Sequence, residues 1–199
     1  IWTGDSGQYY QNLFSSNGCI YTSDTARIHE HHSINNTIQI AGSVNICVGD
    51  SVLLSAQNEP NYQYTWYKDN VLIDTLFSVA AHSTGNYKCN ITDMLSGCSL
   101  ESSATSIIVN SLPSSVVSVS GSTTFCQGDS VVLSTSSIAG NTYQWKLNSN
   151  NIIGATGNSF TALGSGNYAV EVTNGAGCSA TSSATSIIVN SLPSSVVSV

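Results

Sequence analysis

Residues 102–119 read SSATSIIVNSLPSSVVSV, and residues 182–199 repeat them without a change, a shift of 80. Identity over such a length marks an internal repeat, which has to be recognised before any element is assigned. The segment also shows what kind of repeat it is. Thr105-Ser106-Ile107-Ile108-Val109 is rich in β-branched residues, as strands are, and Asn110-Ser111-Leu112-Pro113-Ser114-Ser115 is turn and linker chemistry. A strand thus runs into a short linker stiffened by Pro113, whose ring fixes φ.

The period extends outward from this segment. Ile46-Cys47-Val48-Gly49-Asp50-Ser51-Val52-Leu53-Leu54 matches Phe125-Cys126-Gln127-Gly128-Asp129-Ser130-Val131-Val132-Leu133 at a shift of 79, and Tyr64-Thr65-Trp66 matches Tyr143-Gln144-Trp145 at the same shift. Near the start of the chain, Gly7-Gln8-Tyr9 and Gly18-Cys19 stand ten residues apart from Tyr to Cys, as do Gly166-Asn167-Tyr168 and Gly177-Cys178. In Gly85-Asn86-Tyr87 and Gly97-Cys98 the intervening turn is one residue longer. Residues 1 to about 32 are therefore expected to be the tail of an earlier copy, and 196–199 the opening strand of a further one.

Each full copy alternates short apolar runs with Gly, Asn, Ser and Asp turns, and no segment has helical periodicity. Strands are predicted near 37–41, 50–57, 62–68, 70–73, 75–80, 85–92 and 101–109, and near 116–120, 129–136, 142–147, 151–154, 158–163, 166–173 and 181–189. Seven strands per copy make a two-sheet sandwich, so the fold class is all-β. Side chains alternate across a strand, which sends Val52, Leu54 and Ala56 to the core and Ser51 outward.

Composition narrows the function. The chain is 41% hydrophobic, enough for packed cores, but only 8% charged, where a typical domain has about 25%. With 4 basic and 11 acidic residues it lacks the cationic footprint of a nucleic-acid binder. No apolar run approaches the roughly 18 residues of a membrane span, so neither nucleic acid nor membrane insertion is expected. Six Cys, one Met and few Lys suit an oxidising, extracellular compartment.

The sequence resembles tandem immunoglobulin-like domains. Trp66 and Trp145 stand on the third strand, and Gly85-Asn86-Tyr87-Lys88-Cys89 resembles that family's Gly-x-Tyr-x-Cys pattern with its tyrosine corner, as does Gly166-Asn167-Tyr168. The resemblance makes Trp66, Tyr87, Trp145 and Tyr168 core markers. The Cys-x-Gly-Asp-Ser-Val-x-Leu opening with a late Gly-Cys is similar to Ig-like repeats of large surface and secreted adhesin-like proteins of Bacteroidota. On this reading residues 34–112 and 113–192 are complete domains, 1–33 the rear of a preceding one and 193–199 the first strand of the next.

The cysteines depart from the antibody pattern. Ala56 and Thr135 replace the second-strand Cys, and Val170 replaces the sixth-strand Cys in the second copy. Cys47 and Cys126 lie just before the second strand, Cys98 and Cys178 just after the sixth, so the expected bridges are Cys47–Cys98 and Cys126–Cys178. Cys19 and Cys89 remain, Cys89 as a buried free thiol and Cys19 with a partner in the missing front of its repeat; a Cys19–Cys89 or interchain bridge is the alternative.

Other candidate chemistry yields to plainer readings. Gly-Asp-Ser at 4–6, 49–51 and 128–130 could open a nucleophile motif, but a nucleophile needs a base in reach and the second copy has no histidine. His29-Glu30-His31-His32 has zinc-ligand types, yet it aligns with a strand end entering a linker. Trp2, Trp66 and Trp145 could form a sugar platform, although the last two occupy the core position that the resemblance gives them. Thr25, Ser51, Thr75 and Ser130 stand in Asp-(Ser/Thr)-aliphatic tripeptides that resemble the O-glycosylation acceptors of Bacteroidota, and Asn35 and Asn90 stand in Asn-x-Thr sequons. No catalytic set, metal or cofactor is implied. The expected function is a non-enzymatic spacer of a surface adhesin or fibre, partnered by neighbouring copies or adjacent repeats. Those would continue the chain covalently, or Val196, Val197 and Val199 would add as a strand to a following chain near Ile20–Ile28. A carbohydrate-binding accessory module of a secreted enzyme is the alternative.

Overall fold

The computed structural model describes residues 7–16, 19–28 and 34–193, and every described element is a β-strand. The N-terminal part holds β1 (Gly7–Tyr9), β2 (Asn12–Phe14), β3 (Ile20–Thr22) and β4 (Ala26–Ile28). The first complete repeat follows with β5 (Gln39–Ala41), β6 (Asn45–Cys47), β7 (Val52–Ser55), β8 (Tyr62–Lys68), β9 (Val71–Asp74), β10 (Ser78–Ala81), β11 (Gly85–Asp93), β12 (Ser99–Glu101) and β13 (Thr105–Asn110). The second has β14 (Ser118–Val119), β15 (Thr124–Cys126), β16 (Val131–Ser134), β17 (Thr142–Leu147), β18 (Asn150–Asn151), β19 (Ser159–Ala162), β20 (Gly166–Thr173), β21 (Ser179–Thr181) and β22 (Thr185–Asn190).

In the second repeat one sheet runs β14-β16-β19 and the other β15-β22-β20-β17-β18, with β21 paired to β20; the first repeat has the matching orders β5-β7-β10 and β6-β13-β11-β8-β9, with β12 on β11. The opening segment of each repeat serves both sheets. β14 pairs with β16, then the chain crosses at Gly121 and Ser122 so that β15 joins β22 in parallel. This crossing strand was not expected from the sequence. The last predicted strand of each repeat is two, because the chain turns between Thr181 and Thr185.

Burial follows the period-two pattern. On β20 the buried Tyr168, Val170 and Val172 alternate with the half-buried Ala169, Glu171 and Thr173, and on β16 Val131 and Leu133 are buried while Val132 is exposed. With Trp145, Ala162 and Ile187 they form the core, against which Phe125 and Phe160 pack. Phe160 bridges the rings of Trp145 and Tyr168, with centroids at 6.0 and 5.8 Å. Val52, Leu54 and Ala56 are buried in the first repeat, with Ser51 exposed.

Turn chemistry sets the hairpins. Asp69-Asn70 and Asn148-Ser149 are two-residue loops with both φ positive, the geometry whose twist matches flanking strands. Gly166 has φ +154°, and a Cβ there would lie 2.4 Å from Leu147 Cδ1, which explains the glycine at this position of the second repeat. Thr135 Oγ1 is buried with no hydrogen-bond partner, while Ala56 holds the corresponding place in the first repeat.

Two substitutions test these features with opposite signs. Gly166→Ala should destabilise the chain by about 1–3 kcal/mol, the cost of a strained backbone position. Thr135→Val should stabilise it by about 1 kcal/mol, because it keeps the shape and removes an unsatisfied hydroxyl. Urea denaturation of the three proteins reads both shifts.

Candidate functional site

The expected bridges Cys47–Cys98 and Cys126–Cys178 do not form; Cys47 is bonded to Cys178, with Cα atoms 5.6 Å apart and 131 residues between them in sequence. Cys19, Cys89, Cys98 and Cys126 are free. The reason lies in strand direction. Cys126 sits opposite Asn190 at the end of β22, beside the start of β20, whereas Cys178 lies beyond the end of β20 in its hairpin with β21. The eight residues of β20, at about 3.3 Å each, put the two cysteines roughly 25 Å apart. A disulfide spans no more than about 7 Å between Cα atoms.

Cys47 has the same place in its own repeat. It is opposite Asn110 on β13, and Val48 N–H donates to the Asn110 carbonyl at 2.9 Å. The chain then leaves through Ser111 toward the second repeat, and the hairpin 174–178 meets it there. Among the described residues, those of 40–54, 80–86 and 106–199 form one compact unit, and those of 1–39, 55–79 and 87–105 another. Both bridged cysteines thus belong to one unit.

Asn174, which the sequence reading did not single out, builds this junction. Its Oδ1 accepts the N–H groups of Ala176 and Cys178 at 3.0 Å each, and its Nδ2 donates to the Ser111 carbonyl at 2.9 Å. Gly177, at φ +83°, turns the chain so that Cys178 is presented. The only sequence signal was Asn-Gly-Ala-Gly before a cysteine. On the chain-entropy relation a loop of this length constrains the unfolded chain by about 5 kcal/mol. Since it encloses most of both repeats, one bond constrains the two together.

The remaining candidates are placed as follows. Trp66 and Trp145 are fully buried, and their indole N–H groups donate to the carbonyls of Leu76 (2.9 Å) and Gly157 (3.0 Å). Tyr87 and Tyr168 are buried, and Tyr168 O–H donates to the Gly164 carbonyl at 3.0 Å, four residues back. Cys89 is fully buried opposite Trp66 on the neighbouring strand, and its N–H donates to Ser102 Oγ at 3.0 Å, as Val170 N–H does to Ser182 Oγ. Thr25, Ser51, Thr75 and Ser130 are exposed. His29-Glu30-His31-His32, Trp2 and Val196–Val199 lie outside the described residues. Among the described residues no group of three metal-ligating side chains occurs, and no helix is long and apolar enough to cross a membrane. Two shallow depressions in the second repeat are lined mainly by Ser, Thr, Ala and Asn, with no aromatic ring.

Residues 113–193 match the family described as Ig-like domain, CHU_C associated. That stretch is an immunoglobulin-like domain, and the fold of the chain is that of tandem immunoglobulin-like β-sandwiches. No curated protein matches it in sequence. Solved structures that overlap it include three N-terminal domains of the bacteriophage RB49 highly immunogenic outer capsid protein (21% identity, 77% of this chain and 59% of that one, TM-score 0.38) and the I67–I69 I-band fragment of titin (19%, 78% and 65%, 0.40). A marsupial T cell receptor overlaps at 16% identity, 76% and 72% coverage and a TM-score of 0.44. The chain spans less than two thirds of the phage and titin fragments. The immunoglobulin-like domains here differ from the antibody pattern in having no bridge between their own two sheets.

Burial pushes the Cys89 thiol up to about 11, against a partly offsetting hydrogen bond with the Thr65 backbone. The folded state therefore holds this proton more tightly than the unfolded chain, so its stability contribution is complete below about pH 9 and lost as pH rises through about 11. The loss is on the order of 2 kcal/mol. Cys89→Val, which installs the side chain found at Val170, should leave neutral stability within about 1 kcal/mol and abolish this alkaline loss. Denaturation midpoints from pH 8 to 11, wild type minus variant, check it.

Proposed function

We propose that these domains are structural repeats of an extracellular bacterial surface adhesin or fibre, which link and present rather than catalyse. The observation that carries this reading is the Cys47–Cys178 bond, which ties the base of one domain to a hairpin of the next. A cystine and an immunoglobulin-like architecture fit an extracellular or surface protein, because disulfides persist in oxidising compartments. The identical linkers at 110–115 and 190–195 fit serial use of one junction.

The N-terminal strands support a longer array. β1 pairs with β4 as Gly7↔Ile28, and β2 with β3 as Asn12↔Thr22. Those offsets are those of Gly166↔Ile187 and Glu171↔Thr181 in the second domain. Leu13, Phe14, Ile20 and Tyr21 are exposed on this hairpin, and the front strands of a preceding domain are their natural cover. On this reading the domains are 34–112 and 113–192, with 1–33 the rear of a preceding copy and 193–199 the start of another. Thr25, Ser51, Thr75 and Ser130 are accessible for O-linked glycans, which would solvate a surface so poor in charge.

Denaturing mass analysis of the native surface material tests this reading. It should give a chain well above 20.8 kDa with immunoglobulin-like repeats of about 80 residues and glycan mass on peptides holding these hydroxyls. A single unmodified species of 20.8 kDa would overturn both the continuous array and the glycosylation.

A further inference from the structure

The bond between Cys47 and Cys178 joins the early cysteine of one repeat to the late cysteine of the next, and both kinds recur. We propose that the exposed Cys126 and Cys98 are half-sites of the same staple. Cys126 would bond to the hairpin cysteine of a following immunoglobulin-like repeat, about 131 residues further along, and Cys98 to the early cysteine of a preceding one, as far upstream. The inference rests on the array reading above and adds to it the rule of connection, from each repeat's base to the next repeat's hairpin.

Geometry supports the assignment at each half. Cys126 faces Asn190 as Cys47 faces Asn110. Gln127 N–H donates to the Asn190 carbonyl at 2.8 Å, the twin of the Val48 bond to Asn110, and Asp129 N–H donates to the Cys126 carbonyl at 3.1 Å, as Asp50 N–H does to Cys47 at 3.0 Å. The free cysteine is therefore held in the backbone setting of the bonded one. On the other side Asp93 N–H donates to the Cys98 carbonyl at 2.9 Å, as Asn174 N–H does to Cys178 at 2.9 Å. The pairs Thr92–Ser99 and Thr173–Ser179 share hydroxyl contacts of 2.9 and 2.7 Å, and Gly97 and Gly177 both have positive φ. One difference remains: Asp93 stands where Asn174 donates to the linker, so the Cys98 junction lacks that amide.

Register excludes partners inside a repeat, since Cys126 and Cys178 lie at opposite ends of β20. Cys89 stays out of the exchange by burial, while Cys98 and Cys126 are exposed. Each new S–S bond consumes two thiols and one disulfide from an oxidised dithiol protein or small molecule. The first cysteine's thiolate opens that disulfide and forms a mixed disulfide, releasing one donor thiol. The second cysteine attacks the first cysteine's sulfur and releases the other, so two protein thiols become one bond and the donor leaves as two thiols.

Appending a further copy of residues 120–193 after Val199, so that the period continues in register, and oxidising the product in a glutathione redox buffer tests the rule. The chain has six cysteines and one bridge, so four thiols titrate after denaturation. The extended chain adds two cysteines, and its count should stay at four, with peptide mapping placing Cys126 on the late cysteine of the added copy. A count of six, or Cys126 bonded within its own repeat, would overturn the proposal. Cys126→Ser in the extended chain should keep Cys47–Cys178 and raise the count to five, which separates a wrong rule from a chain that fails to fold. This outcome is independent of whether the natural chain is long, so it fails separately from the array reading.

Discussion

The pairing of the third and sixth strands of each domain is the constraint on which the rest depends. β17 lies against β20 from Thr142↔Thr173 to Leu147↔Tyr168, and β8 against β11 from Tyr62↔Asp93 to Lys68↔Tyr87. This register puts Trp145 beside Val170 and Trp66 beside Cys89, and each indole is held by a backbone carbonyl beyond the adjoining hairpin. A buried indole N–H without an acceptor would be costly, so the tryptophan fixes the path of the segment after the hairpin as well as filling the core. The ion pair Lys146–Glu171 joins β17 to β20 and Lys88–Glu101 joins β11 to β12; at their exposure both contribute little. Packing, not charge, holds these sandwiches.

Strand direction then determines where chemistry can occur. The sixth strand runs toward the hairpin that holds the late cysteine, and the parallel pairing of the crossing strand with the last strand sets the early cysteine at the other end. Nothing within one domain can bring them together. The linker leaves from the end that holds the early cysteine, and in this structure the next domain's hairpin lies there. The inter-domain bond is a consequence of topology rather than an addition to it.

Much of this was legible in the sequence. The period, the alternation on β7 and β20, the Trp and Tyr positions and the all-β class follow from residue types whose spacing is local. The three-residue crossing strands were not legible, because Asn45-Ile46-Cys47 is too short for alternation to distinguish it from a turn. The cystine was misread for a different reason. In a periodic chain, joining early to late cysteine within a repeat or across to the next changes the separation by one period and leaves both residue types and their flanks the same. Only knowing at which end of the sheet each cysteine stands separates the two, and that information resides in pairing, not in sequence.

The absence of a bond between the two sheets has its own logic in a bridged chain. An inter-sheet cystine stabilises one domain by itself; a bond from base to hairpin constrains two at once, so each domain's unfolding is opposed by its neighbour's integrity. The positions freed by this arrangement were filled differently, with Ala56 and Cys89 in the first domain and Thr135 and Val170 in the second. Such variation is tolerated because the sites need only fit the core, whereas the cysteines at the junction must reach across a boundary. Of the parts that build the junction, the early Cys with its Gly-Asp-Ser-Val turn and strand and the identical linker repeat strictly, whereas the late hairpin is one residue longer in the first repeat and has Asp93 where the second has Asn174.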